Sequence, residues 1–292
     1  MRPSVTPDEV RTTSTAQLRA RSWLGDPAWD LLSGTREFWR LRDDELEGLL
    51  ALAREADYLQ LKLVVPEEMG EATCAALDID LAVASTRRVY FLDTPDLVLD
   101  RYGVVVRVRS IEREPDDSVI KLRPVVPREL PHGLRHSKRF VVEIDGMPGN
   151  YVCSGALKAR LGIHDVERTI AGERPLDALF SKRQLALLAA HAPAGLRIND
   201  LGILGPIAVR RCKVVPDGLG RALAVELWTY PNSSRILELS TRCPADQALR
   251  VAAQTAATLR ALGVSFDGAQ RTKTRATLDF FGTTRPAAAR NR

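Results

Sequence analysis

Apolar and polar residues alternate with a period of two in stretch after stretch of this chain, the signature of half-buried β-strands. From Tyr58 to Val65, Leu59, Leu61, Leu63 and Val65 share one face while Tyr58, Gln60 and Lys62 share the other. Similar runs follow at Arg87 to Asp93, Gly103 to Arg109, 118–125, 137–145, 205–215, 221–230 and 235–241. Helical spacing separates them. Leu46, Leu49, Leu50 and Ala53 predict an amphipathic helix from Asp43 to Tyr58, and Pro66-Glu67-Glu68 suits a helix start. Thr94-Pro95-Asp96 reads as an N-cap, a first-turn proline and a first-turn acid, giving a short helix that Gly103 stops. Residues 150–191, with helical periodicity from Leu176 to His191, read as a helical insertion between two blocks of strands. Pro244 to Leu262 is an alanine-rich helix ending at Gly263, and Thr272 to Phe281 is a last short one.

The polar faces of the strands carry a selected chemistry. Arg107 and Arg109 point the same way, as do Lys121 and Arg123, Arg139 and Glu143, Arg211 and Lys213, and Glu238 and Ser240. Such faces are satisfied by a sheet closed on itself with helices outside and a charged lumen, or by an open sheet with a solvated face. Around Pro231-Asn232-Ser233-Ser234, a three- or five-residue hairpin loop sets Glu226 opposite Glu238, and a four-residue loop sets it opposite Leu239. The odd loop is the expectation. Two facing acids then need a cation between them or a retained proton.

The span Arg88-Val-Tyr-Phe-Leu-Asp-Thr-Pro-Asp-Leu, followed by Gly103-Val-Val-Val-Arg107-Val-Arg109 and Lys121, resembles the CYTH superfamily, the triphosphate tunnel metalloenzymes. The order of Arg211, Lys213, Glu226 and Glu238 on later strands is compatible, and the similarity covers roughly residues 56–281. The resemblance implies an α+β fold built on a closed, antiparallel, eight-stranded β-barrel whose charged tunnel takes triphosphate-containing substrates, with helices packed outside. It implies Lys62, Arg107, Arg109, Lys121, Arg211 and Lys213 as phosphate-binding cations, and Arg123 shares a face with Lys121. Glu226 and Glu238 would hold Mg²⁺ or Mn²⁺, and a water near Glu143 or Glu226 would attack the terminal phosphoryl.

This chain departs from the pattern on its first strand. Where the family carries Glu-x-Glu-x-Lys, the residues are Tyr58-Leu59-Gln60-Leu61-Lys62, and a late Glu-x-Glu is Glu238-Leu239-Ser240. Hard divalent ions prefer carboxylate oxygens, so the anion-binding half of the site is kept while the metal-binding half is eroded. Hydrolysis of a triphosphate or short polyphosphate, a non-catalytic phosphate, polyphosphate or nucleotide receptor, and an adenylate cyclase all follow from one site chemistry.

Composition narrows the partners. Of 292 residues, only 5% are aromatic, and a net charge of +5 comes without a basic run or interleaved aromatics, so nucleic acid is disfavoured as a partner. The cysteines Cys74, Cys153, Cys212 and Cys243 form no C-x-x-C pair, which argues against zinc or a disulfide framework. No apolar run is long enough to span a bilayer and no secretory leader is evident, so the expectation is a soluble, cytoplasmic protein. Residues 1–41 read as an N-terminal extension holding Trp23, Trp29 and Trp39, residues 42–283 as the tunnel domain, and 284–292 as a disordered tail. His132 and His136 fall in a loop near the expected mouth.

Overall fold

The computed structural model describes residues 38–284. Nine strands close into one barrel: β1 (Tyr58–Val65), β2 (Ser85–Asp93), β3 (Val104–Ile111), β4 (Asp117–Leu122), β5 (Phe140–Met147), β6 (Asn150–Arg160), β7 (Gly202–Val214), β8 (Leu223–Thr229) and β9 (Arg235–Cys243). Around the ring the order is β1-β5-β6-β4-β3-β2-β7-β8-β9, with β9 returning to β1. The α+β architecture and the closed, helix-clad barrel agree with expectation. The strand count and the pure antiparallel pairing do not.

The extra strand is β6, inside the segment expected to be a helical insertion. Its sequence contains Ser154-Gly155-Ala156, residues of low β propensity. Those small residues answer a packing need. A Cβ on Gly155 would lie 2.1 Å from Phe140 Cζ on the neighbouring strand, so the ring of Phe140 occupies the space that a side chain would take. A closed ring with an odd number of strands cannot alternate direction everywhere. The unavoidable parallel contact falls between β1 and β5, which pair Tyr58 with Glu143 and Gln60 with Asp145.

Helices coat the barrel, including α1 (Asp43–Ala53), α2 (Gly70–Ala76), α3 (Val98–Arg101), α4 (His132–Arg135), α5 (Asp165–Ile170), α6 (Lys182–His191), α7 (Ala248–Ala261) and α8 (Lys273–Thr284). The first turn of α1 carries Asp43, Asp44 and Glu45, which suits the positive end of the helix dipole. Its buried Leu46, Leu49, Leu50 and Ala53 form the predicted face. Phe38 and Trp39, placed by sequence in the N-terminal extension, are 0% and 1% exposed and join the same core. Residues 1–37, with Trp23 and Trp29, and the tail after 284 lie outside the described residues.

The helical insertion proper follows β6 and is fastened to the wall by Gln184 of α6. This fully buried amide donates to the carbonyls of Ser118 and Leu157, each at 3.2 Å.

The Asp-Thr-Pro-Asp stretch is structural. Asp93 is 2% exposed and its carboxylate accepts from the backbone N–H groups of Leu99 (2.8 Å) and Asp100 (3.0 Å), while Thr94 Oγ1 accepts from Val98 (2.9 Å). These bonds satisfy the orphan donors of the single turn α3. Gly103 then turns the chain at φ +68°, where a Cβ would meet the Arg123 carbonyl oxygen at 2.8 Å. The motif thereby fixes where β3 begins and which residues of β3 face inward.

Apolar residues pack in two places. The larger cluster lies between the outside of the barrel and its helices. The smaller one comprises Val89, Phe91, Val105, Val209, Trp228 and Tyr230 with Leu278 of α8. By strand alternation these share faces with Arg87, Arg107, Arg211 and Glu226, so they fill one end of the interior, and α8 stops it. No helix among the described residues is long and apolar enough to cross a membrane.

Candidate functional site: a cation-rich tunnel

Inside the barrel lies a cavity of about 290 Å³ lined almost wholly by charged and polar side chains. Nine cations face it against three carboxylates, Glu143, Glu226 and Glu238. Of the residues expected from the sequence, Lys62, Arg107, Arg109, Lys121, Arg211 and all three glutamates line this one space. Two expected cations do not. Lys213, near the end of β7, is exposed. Arg123 follows β4, stands 3.6 Å from Asp145, and borders a separate cavity of about 340 Å³ with Arg275. Arg139 precedes β5 and is exposed, and His132 and His136 stack on each other at 4.0 Å on α4, away from the lumen.

Glu226 and Glu238 stand directly opposite each other in the β8–β9 register, joined by the five-residue loop 230–234. The cation required between two facing acids is there. Lys273 Nζ, from the first residue of α8, lies 2.7 Å from Glu238 Oε1 and also contacts Glu226 Oε2. Glu226 in addition accepts from Arg211 Nε (3.0 Å) and from Trp228 Nε1 (3.1 Å). Burial alone raises the pKa of Glu226, but Lys273, Trp228 and Arg211 outweigh it and hold the group far below the usual carboxylate range.

A second charged knot joins side chains of β1, β5 and, beyond the intervening β6, β4. Lys62 lies 2.7 Å from Asp145, which is 1% exposed, and Lys121 contacts Glu143. Tyr58 donates its phenol to Glu143, and the Arg242 guanidinium covers the Tyr58 ring at 3.8 Å. Burial opposes ionisation of Glu143, yet Lys121 and the Tyr58 hydroxyl bring it down to about 2. Asp145 is lowered in the same way, against burial, by Lys62, Lys121 and Arg123.

In a third group of cations only Arg109 has a carboxylate partner among the described residues. Arg109 is held by Asp117 (Nε to Oδ1, 2.8 Å), but among the described residues Arg87 and Arg107 form no ion pair, and the Nε of each is buried without a hydrogen-bond partner. Burial, then repulsion from Arg109, lowers Arg107 to about 10, and burial with Arg109 and Arg211 lowers Arg87. Lys158 joins them from β6. Crowding by the wall, with the charges of Arg107, Lys121 and Arg109, brings it to about 8 against the pull of Glu143. Much of the Lys158 side chain is still open to water, which tempers that crowding. Cations held close together without counter-charge favour an anion among them.

Arg87, Lys158, Arg242 and Asp145 join the site beyond the residues expected from the sequence. Asp145 shares its strand face with Glu143, so its signal was present in the alternation. Lys158 went unseen because β6 did.

The donor set does not fit a divalent metal of the kind the resemblance implies. Among the described residues no group of three or more His, Cys, Asp and Glu side chains comes together as a possible metal site. The first strand offers only Gln60, whose Nε2 donates to Ser240 Oγ at 3.2 Å. Glu226 and Glu238 are already bridged by an ammonium. Mg²⁺ and Mn²⁺ favour several negatively charged oxygens, and of the Glu226–Glu238 pair only Glu238 Oε2 is buried without a hydrogen-bond partner.

Solved structures share this barrel fold. The chain shares its fold with HpAC1 from Hippeastrum, a candidate adenylyl cyclase described as having a dominant triphosphatase activity. The TM-score is 0.55 at 14% identity, over 76% of this chain and 95% of that one. A candidate adenylate cyclase from Bacillus halodurans aligns with a TM-score of 0.51 at 14% identity, over 75% of this chain and 97% of that one. No family model matches the sequence, and no curated protein matches it either.

Proposed function

We propose that this protein is a receptor for a triphosphate-containing or short polyphosphate ligand, held inside the tunnel by Arg87, Arg107, Lys158 and their neighbours. The supporting observation is the unpartnered cation group. Burying charge without a counter-charge is unfavourable for folding, so Arg87 and Arg107 weaken the empty protein and are compensated when a polyanion enters. A cavity of about 290 Å³ is at the small end of ligand sites, which run from roughly 300 Å³ upward. That size suits a short phosphate chain, with any nucleoside left at the mouth.

Hydrolysis of the terminal phosphoryl is the second reading, favoured by the fold shared with HpAC1. Water would attack phosphorus, the bridging P–O bond would break, and orthophosphate and the shortened chain would leave. Glu143 and Glu226, the expected bases, argue against an efficient version. Each is held as a carboxylate by lysine, and a carboxylate lowered to about 2 is a poor acceptor of a proton from water at neutral pH. Adenylate cyclase chemistry requires the same lumen plus a base pocket.

Titration calorimetry with tripolyphosphate, pyrophosphate, orthophosphate and ATP tests the receptor. One site per chain is expected, tightest for tripolyphosphate and weakened by salt. Absence of heat with every phosphate chain rejects it. A phosphate-release assay with Mg²⁺ or Mn²⁺ tests the second reading: release no faster than from the Arg107→Ala, Arg109→Ala double variant removes it.

A further inference from the structure

The lysine between the two late glutamates has a consequence for how the ligand arrives. Lys273 is the first residue of α8, where a positive side chain faces the positive end of the helix dipole. Nothing in the helix favours a cation at that position. What holds it is the acid pair, with Glu238 Oε1 at 2.7 Å and Glu226 Oε2 in contact, and the Trp228 ring 5.0 Å from Nζ.

The helix that delivers the ammonium is anchored independently of it. Tyr230 Oη lies 3.1 Å from Thr277 Oγ1, Arg275 pairs with Asp100 at 2.9 Å, and Leu278 is 3% exposed in the apolar plug. Lys273 is therefore a tethered cation at high effective concentration beside its carboxylates. A divalent ion entering from solution has to displace it.

On the adjoining strands β1 and β5 the same arrangement recurs. The β1–β5 register sets Glu143 and Asp145 beside Tyr58 and Gln60, and these acids are taken up by Lys121 and Lys62. Each of these two acid pairs thus has internal ammonium groups where a metal ion would otherwise supply charge.

We infer that Lys273 is a built-in counter-ion standing in the place of a divalent metal, so that the tunnel takes its phosphate chain as the metal-free polyanion. The inference rests on the proposed receptor function, and it sets the form of ligand: free oligophosphate rather than its Mg²⁺ complex. Mg²⁺ then competes with the protein for the anion instead of bridging the two.

Two measurements on the full chain decide it. The first is Mn²⁺ binding followed by electron paramagnetic resonance, without any phosphate, for the wild type and Lys273→Met. The wild type is expected to leave Mn²⁺ free, and Lys273→Met to bind it at least roughly tenfold more tightly, because Glu238 then loses its ammonium and Glu226 keeps only Arg211 as a cation partner among the described residues. The second is tripolyphosphate affinity in EDTA and in excess Mg²⁺, expected to be tighter in EDTA.

Micromolar Mn²⁺ binding by the wild type overturns the inference, as does tripolyphosphate binding that needs a divalent ion, or a folded Lys273→Met that still rejects Mn²⁺. Should Lys273→Met fail to fold, Lys273→Gln replaces it, and the wild-type measurements decide alone if both fail. If tripolyphosphate does not bind in either buffer, the receptor function falls while the Mn²⁺ comparison still judges the role of Lys273.

Discussion

Replacing Arg107 with methionine separates stability from binding more cleanly than any other single change in the tunnel. Among the described residues its guanidinium makes no ion pair, its Nε is buried without a hydrogen-bond partner, and burial followed by repulsion from Arg109 lowers its pKa to about 10. Against an ordinary value of 12.5, that displacement corresponds to a penalty of about 3 kcal/mol on the charged form in the folded protein. Lumen water reaches part of the side chain, so screening leaves roughly 1–2 kcal/mol.

The sign follows from linkage. A cation whose pKa falls on folding destabilises the protein at every pH below its folded value, and the penalty fades as pH rises from about 10 toward 12.5. Methionine keeps much of the stem packing and removes the charge. Arg107→Met is therefore expected to raise the urea midpoint at pH 7 and the melting temperature by about 2–4 °C per kcal/mol. The same variant should lose at least tenfold in tripolyphosphate affinity, since a charge-assisted hydrogen bond contributes about 1.5–3 kcal/mol. If Arg107→Met destabilises the protein, the arginine is a structural member of the wall and the reasoning about an unsatisfied cation fails.

Other outcomes follow from the same charges. Lys158, lowered to about 8, has to be protonated to grip phosphate, so tripolyphosphate affinity should decline above pH 8 with net proton uptake on binding; calorimetry in buffers of different ionisation heat reads this, and Lys158→Arg should flatten the profile. Glu143, lowered to about 2 from an ordinary 4.5, stabilises the fold above pH 4.5 and loses that contribution as pH falls toward 2. Glu143→Gln, which leaves Lys121 without its carboxylate, should cost roughly 3–5 kcal/mol at pH 7 in urea unfolding, with the gap to wild type closing in acid; a constant gap refutes the assignment. Gly155→Ala, whose Cβ would sit 2.1 Å from Phe140 Cζ, should destabilise by roughly 1–3 kcal/mol, and Phe140→Leu in the same chain should restore part of the loss.

Much of this tunnel was legible in the alternation of side chains. The inward faces of β1, β3, β4, β7, β8 and β9 were readable because each alternates leucine or valine with charge over several residues. The opposition of Glu226 and Glu238 followed from loop length, and the cation between them from electrostatics alone.

What stayed hidden had physical causes. β6 looks unlike a strand because the bulk its neighbours need is supplied by Phe140, and Lys158 disappeared with it. The parallel β1–β5 contact depends on the strand count, which one missed strand changes. Lys273 comes from a helix beyond the barrel, and no spacing along the sequence shows that its ammonium reaches acids on β8 and β9.

The most direct test of the tunnel is a crystal structure of the full chain grown with tripolyphosphate in EDTA. A phosphate chain is expected inside the barrel, its oxygens within hydrogen-bond distance of Arg87, Arg107 and Lys158, with Lys273 still seated between Glu226 and Glu238. An interior that stays free of phosphate while the anion binds on the outer surface would contradict it.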